Sequence, residues 1–243
     1  MNLIIDVGNT RIKAAVFEKD ILREIVIFEE NQFIEKVDYL FENYSLKEGI
    51  LSSVGVISDE NRKYLTSKLS IIELDSNTKV PFKNLYKTPN TLGVDRIALV
   101  AAASQKFKNN DVLMIDAGTC ITYDFLNAKN EYLGGAISLG IDMRYKALNS
   151  YTSNLPRLKQ TELNSRIGDS TQDSMHSGII NGVLNEIEGV IQQYQNENEF
   201  LTVVLTGGDT NFLAKQLKSS IFANPNFVLE GLNAILIYNR GEC

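Results

Sequence analysis

The sequence is short of the residues on which much enzyme chemistry depends. It holds one histidine, two cysteines, four prolines and no tryptophan. Cys120 and Cys243 cannot build a disulfide scaffold. His176 alone makes no histidine cage for a metal ion, and it is the single histidine a Ser-His-Asp triad would have to use. Positive charge is also scarce: 24 Lys and Arg stand against 30 Asp and Glu, for a net charge of −6 and no basic stripe. That argues against nucleic acid or an anionic membrane as the main partner. No run approaches the roughly 18 apolar residues of a membrane span. Asp6 and Arg11 stand where an export signal needs an apolar core. These absences lead us to expect a soluble, cytoplasmic α/β protein. At 243 residues and 44% hydrophobic, the chain forms one large or two small units with a sizeable core.

Alternating elements follow from the apolar spacing. Asn2 to Asp6 is a short apolar run ending in a carboxylate, and Gly8-Asn9 marks a tight turn. Arg11 to Phe17 alternates with Ile12, Ala14 and Val16 on one face, and Ile21 to Phe28 gives a third strand. Helices are expected over 31–43, 59–69 and 93–107, and strands over 50–54 and 71–74. Ser76 to Asn90 is polar, carries two prolines and reads as a long loop. The pattern then restarts with strands over 112–115 and 121–125 and a Gly-rich stretch over 132–141. The strongest amphipathic spacing predicts a helix over 177–194, where Ile180, Val183, Leu184, Ile187 and Ile191 share a face. A buried strand over 201–205 and a helix or buried segment over 233–238 close the chain.

One repeat stands out. Leu3-Ile4-Ile5-Asp6-Val7-Gly8-Asn9-Thr10 aligns with Leu113-Met114-Ile115-Asp116-Ala117-Gly118-Thr119-Cys120, 110 residues later. An Asp at a strand end before a Gly turn suits phosphate chemistry. The turn's N–H groups cradle phosphate oxygens, and the carboxylate holds Mg²⁺. Taken singly, Asp6 and Asp116 read as hairpin turn residues. Taken together with a third turn, Thr206-Gly207-Gly208-Asp209, they favour phosphate binding. Adjacent glycines there let the backbone lie against a planar base; alone, they read as a strand-to-helix turn. On residues alone, these motifs support an ATP-dependent phosphotransferase or ATPase.

Two Asp-x-Gly hairpins and a Gly-Gly turn resemble the actin, Hsp70 and sugar-kinase superfamily. That likeness implies duplicated ribonuclease-H-like domains, here 1–110 and 111–243, with an inter-domain nucleotide cleft. More narrowly, the run from Asp6 to Lys13, Gly93-Val94-Asp95-Arg96, Asp116 to Thr119, Gly134-Gly135 with Ile137 and Gly140, and Thr206 to Asp209 resemble type III pantothenate kinases in order and spacing. The Gly-x-Asp-Arg element is the most discriminating. Leu139 stands where the family commonly has proline, and Cys120 where it often has alanine.

The resemblance implies ATP-dependent phosphorylation of pantothenate, the first step towards coenzyme A. It assigns ATP to Asp6, Val7, Gly8, Asn9, Thr10, Arg11, Ile12, Lys13 and Thr119. It assigns a monovalent cation, K⁺ or NH₄⁺, to Asp116, while the hairpin chemistry above offers Asp6 for Mg²⁺. Pantothenate falls to Tyr86, Gly93, Val94, Asp95, Arg96 and Thr171, the last reaching it from the partner subunit of a homodimer. Asp95 is implied to be the proton acceptor. Each of these residues also has a plainer reading. Asp95 would stabilise its helix as a first-turn acid, Arg96 would form a surface ion pair, and Tyr86 would be a half-buried anchor. Thr171 would cap a helix, and Lys13 would be a solvated strand residue. Gly178 and Gly182, four apart, suit close helix packing, across a dimer or against a sheet. A non-catalytic regulator is the rival function and predicts loss of the acids, yet Asp6, Asp95 and Asp116 are all present. A kinase with another hydroxyl acceptor is the second rival, separated by substrate screening.

Overall fold

The computed structural model describes residues 1–163 and 165–240, so Cys243 lies outside the described residues. In chain order the strands and helices are β1 (Asn2–Val7), β2 (Ile12–Glu18), β3 (Ile21–Phe28), α1 (Phe33–Asn43), β4 (Glu48–Ser53), α2 (Asp59–Lys68), β5 (Ser70–Glu73), β6 (Lys83–Asn84) and α3 (Val94–Lys106). They continue as β7 (Asp111–Ala117), β8 (Cys120–Leu126), β9 (Glu131–Leu139), α4 (Ile141–Ser150), α5 (Thr171–Glu197), β10 (Leu201–Thr206), α6 (Thr210–Ala214), β11 (Phe222–Ala223) and α7 (Phe227–Asn239). The chain divides into two compact units. The first holds Met1–Lys108, Asn130–Leu133 and the chain from Asn226 onward; the second holds Asn109–Lys129 and Gly134–Pro225.

The first unit is built on a five-stranded sheet in the order β3-β2-β1-β4-β5. β1 runs antiparallel to β2 and parallel to β4, so a meander is followed by parallel additions. Helices α1 and α2 cover one face through Phe33, Val37, Leu40 and Leu65, packed on Leu3, Ile5, Val16 and Leu51. Helix α7 lies against β1 and β4 and packs along α3. On β2, Ala15 and Phe17 are as buried as Ala14 and Val16. Strands covered on both faces are apolar throughout rather than alternating. A buried polar clasp holds α7 in place. Asn2 Nδ2 donates to Asn233 Oδ1 at 2.7 Å, and Asn233 Nδ2 donates to the Lys19 carbonyl at 2.8 Å.

The second unit repeats the strand order. Five of the six strands of its sheet run β9-β8-β7-β10-β11, with β7 antiparallel to β8 and parallel to β10. Each unit therefore orders its strands third, second, first, fourth, fifth, the ribonuclease-H-like arrangement that the superfamily resemblance implies. The two repeated strands even share a burial pattern, with the aspartate partly exposed between fully buried neighbours. Helix α5 covers this sheet through Ile179, Ile180, Val183, Ile187 and Ile191.

Three elements differ from the sequence reading. Helix α4, which follows the Gly-rich stretch read over 132–141, was not anticipated, although Ile141, Tyr145 and Leu148 carry helical spacing into the core. Helix α5 starts at Thr171, ahead of its apolar stripe, because Ser170 caps it: the Ser170 hydroxyl accepts the Asp173 N–H at 3.1 Å. Thr171 is thus the first helical residue and not the cap. The long segment after Ser76 contains β6, which pairs with Glu131 and Tyr132 at the start of β9.

Candidate active site

In the first unit, Asp6 lies one residue before the end of β1. Lys13 on β2 and Ser52 on β4 are its cross-strand partners, so the three side chains share one face. The turn that follows is closed by the Gly8 N–H donating to the Arg11 carbonyl at 3.1 Å, and it leaves Asn9, Thr10 and Arg11 exposed. Burial pushes the Asp6 carboxyl up to about 6; Lys13 opposes this, the charge of Asp95 adds to it, and Ser52 opposes it. Ser52 favours the charged carboxylate, but its fully buried hydroxyl makes no hydrogen bond of ordinary geometry. Lys13 is half-buried beside Asp6, which sets aside its reading as a solvated strand residue.

The loop after β4 fixes this turn from below. The Val54 and Gly55 N–H groups both donate to the Val7 carbonyl at 3.0 Å. A Cβ on Gly55 would stand 2.2 Å from the Gly8 carbonyl oxygen. Backbone cannot yield as a flexible side chain does. Gly55→Ala is therefore expected to displace the turn and to lower stability by about 1–3 kcal/mol, which thermal melts check.

Helix α3 brings the Gly-x-Asp-Arg element to the same unit. Gly93 precedes the helix, and Asp95 occupies its first turn, half-buried. Asp95 Oδ1 accepts the Arg96 N–H at 2.8 Å, so the carboxylate folds back over the helix start. Its charge adds to the rise of the Asp6 carboxyl, which burial dominates. Arg96 is 5% exposed, which replaces the surface-ion-pair reading with a buried guanidinium. That guanidinium lies 5.5 Å from the ring centre of Tyr86. Asp6, Lys13, Tyr86, Asp95 and Arg96 thus belong to one compact unit.

In the second unit, Asp116 repeats the position of Asp6. Its cross-strand partners are Thr122 on β8 and Thr206 on β10. Both hydroxyls are buried and, among the described residues, neither has a hydrogen-bond partner. Thr119 is exposed in the following turn, which the Gly118 N–H closes on the Cys120 carbonyl at 2.9 Å. The loop after β10 fixes this turn as the loop after β4 fixes the first. The Asp209 N–H donates to the Ala117 carbonyl at 3.0 Å. Gly207 has φ of +94°, and a Cβ there would stand 2.3 Å from both the Ala117 oxygen and Asp116 Oδ1. Gly207 is thus required by close packing on the turn, while Gly208 has open space around it. Among the described residues, no three His, Cys, Asp or Glu side chains gather as a metal site.

The remaining candidates sit on α5. Thr171 is exposed at its first turn. His176 is structural, its Nδ1 paired with the Tyr145 hydroxyl at 2.7 Å. A Cβ on Gly178 would meet nothing within 4 Å, and one on Gly182 would meet Arg144 Nη1 alone, at 3.9 Å. Neither glycine packs closely on an element of this chain. Sequence reading missed Ser52, Gly55 and Thr122. The signal was present for the first two: Ser52 stands to Asp6 as Thr206 stands to Asp116, each at a strand end a few residues before a glycine.

A family model described as type III pantothenate kinase matches residues 2–193. A type III pantothenate kinase of Christiangramia forsetii is 48% identical over 243 residues, covering 100% of both chains. One of Flavobacterium johnsoniae is 44% identical and covers 98% of each. Among solved structures, a putative Baf family transcriptional activator from Campylobacter jejuni has a TM-score of 0.63 at 24% identity, covering 98% of this chain and 99% of its own. A putative N-acetylmannosamine kinase from Listeria monocytogenes has a TM-score of 0.56 at 14% identity, covering 100% and 99%. At those identities, the structural likenesses speak to the fold, an actin-like and sugar-kinase fold.

Proposed function

Because the chain belongs to the type III pantothenate kinase family, and so phosphorylates pantothenate with ATP on the path to coenzyme A, we propose that Asp95 accepts the proton of the substrate's primary hydroxyl. An alcohol is a weak nucleophile until a positioned base takes its proton. What supports this role is placement: Asp95 lies half-buried in the first turn of α3, its Oδ1 accepting the N–H of the buried Arg96, in the same unit as Asp6.

The other roles follow residue by residue. Asp6 to Lys13 bind ATP, with the turn's N–H groups and Lys13 meeting phosphate oxygens. Thr119 binds ATP as well. The enclosed Asp6 carboxylate fits a divalent cation, because a nearby cation offsets the burial that disfavours its charge. Mg²⁺ held there would neutralise charge on the transferring phosphoryl group. The donor set around Asp116 fits a monovalent cation, K⁺ or NH₄⁺. Thr122 and Thr206 add two buried oxygens without hydrogen-bond partners, and hard cations take oxygen ligands.

Pantothenate is held by Gly93 to Arg96 and Tyr86, and by Thr171 of a second copy in a homodimer. Gly178 on the same helix leaves room for such a neighbour. Residues 1–110 and 111–243 serve as the two ribonuclease-H-like halves. The enzyme works in the cytoplasm; no described helix is long and apolar enough to cross a membrane.

Arg96 pairs with the substrate's carboxylate as a planar fork. Arg96→Lys keeps the charge and loses the fork. It is expected to raise the KM for pantothenate about tenfold or more, with the KM for ATP unchanged. Steady-state kinetics with each substrate varied in turn check this, and an unchanged pantothenate KM contradicts the role.

A further inference from the structure

The arrangement beneath Arg96 carries a consequence for substrate affinity, resting on the reading that Arg96 and Tyr86 bind pantothenate. Three flat groups stack in the first unit. The Arg96 guanidinium lies over Tyr86 at 5.5 Å, and Tyr86 stacks on Tyr132 with ring centres 6.0 Å apart and planes 20° apart. Phe82 meets Tyr132 edge-on at 6.2 Å. Tyr132 is completely buried, whereas Tyr86 is only partly so. The buried ring is thus the fixed floor, and Tyr86 is the layer that Arg96 rests on.

Tyr132 also fixes the chain that carries Tyr86. The Leu85 N–H donates to the Tyr132 carbonyl at 3.0 Å, and the Lys83 N–H donates to the Asn130 carbonyl at 2.9 Å. Asn130 Nδ2 and Ser104 Oγ both donate to the Pro81 carbonyl, at 2.8 Å and 2.9 Å. Asn84 Oδ1 then accepts the Tyr86 N–H at 2.9 Å. A segment of this length and polarity would otherwise be mobile. Five hydrogen bonds and a stacked ring hold it in one register instead.

A guanidinium that must meet a carboxylate as a fork needs its plane set in advance. A ring under the guanidinium sets it, and a second ring under the first stops the stack tilting. We propose that Tyr132 is a positioning residue for pantothenate: through Tyr86 it holds the plane of Arg96, and so governs affinity for the substrate's carboxylate without touching it. Such a residue acts on substrate binding and leaves the phosphoryl-transfer step and the ATP site alone.

Replacing the flat ring separates this role from a merely structural one. Tyr132→Phe keeps the stacked ring and is expected to keep the wild-type KM for pantothenate. Tyr132→Leu, with folding checked by circular dichroism, is expected to raise the KM for pantothenate about five- to tenfold, with kcat within about twofold and the KM for ATP unchanged. Tyr132→Met keeps bulk without a flat face and replaces the leucine variant should that one fail to fold. Phe82→Leu removes the edge-on neighbour but not the stack, and should leave the pantothenate KM near wild type. Folded Tyr132→Leu or Tyr132→Met with a wild-type pantothenate KM would overturn the proposal. So would equal changes in both KM values, which indicate a general loosening. Arg96→Lys, assayed alongside, keeps the two readings apart. If it raises the pantothenate KM while the Tyr132 variants do not, the positioning role fails and the substrate site stands. If it does not, the substrate site itself fails and takes the positioning role with it.

Discussion

Asp95→Asn is expected to lower kcat by about 10²- to 10⁴-fold while both KM values stay within about threefold. The expectation rests on how little else the change disturbs. Asparagine has the shape of aspartate, and its carbonyl oxygen can still accept the Arg96 N–H that Asp95 Oδ1 accepts at 2.8 Å. The start of α3, and with it the placement of Arg96, is therefore preserved. What is lost is the ability to take a proton from the substrate hydroxyl as the phosphoryl group arrives. A loss confined to kcat means that the interaction exists only in the transition state. ADP release measured against both substrates decides the matter; turnover near wild type removes Asp95 from the proton path.

Asp6→Asn is expected to produce opposite changes in activity and stability. Turnover should fall at least about 100-fold, because the carboxylate proposed to hold the divalent cation at the phosphates is gone. Stability without nucleotide or divalent metal should rise. Folded Asp6 keeps its proton up to about pH 6, whereas a free aspartate releases it near 3.8. A carboxyl whose folded value is raised contributes its stability below the unfolded value and loses it as the pH rises through the folded one. Above pH 6 the folded protein thus carries an ion that its surroundings disfavour, at a cost on the order of 2 kcal/mol. Asparagine has no ion to bury. The melting temperature at pH 8 should be higher by roughly 4–8 °C, and the gain should shrink as the pH falls towards 4. A lower melting temperature at pH 8 would show that the Lys13 partnership outweighs burial.

Such a trade is what a site built to receive a cation and a polyanion requires. The groups arranged for the ligand are disfavoured without it, and ligand binding returns the difference. The second unit shows the same design in neutral form. There, buried threonine hydroxyls rather than a lysine flank Asp116. The duplicated fold has diverged at the positions beside each aspartate while keeping the aspartate, the glycine turn and the loop that fixes it.

The legibility of these features follows their physics. The two Asp-x-Gly strands were readable because a buried strand, a carboxylate and a turn glycine are all local signals, and their recurrence 110 residues apart gave the duplication. Helix α5 was readable from its stripe, but its start was not, because its first turns are polar and Ser170 marks the boundary instead. Asp95 and Arg96 were visible only through the family likeness; on position alone they read as an ordinary first-turn acid and a surface cation. Tyr132 was legible only as the start of a Gly-rich stretch. Its role depends on β6, a two-residue pairing between segments 48 residues apart that leaves no periodic trace. Gly55 was passed over for a similar reason, since the contact that demands it is with Gly8, on another strand's turn.

A crystal structure with pantothenate and a non-hydrolysable ATP analogue tests the central claim most directly. The account predicts an Asp95 carboxylate oxygen about 2.6–3.2 Å from the primary hydroxyl of pantothenate, with the Arg96 fork on the substrate's carboxylate. A hydroxyl that meets some other base, with Asp95 engaged only by the Arg96 N–H, would contradict it.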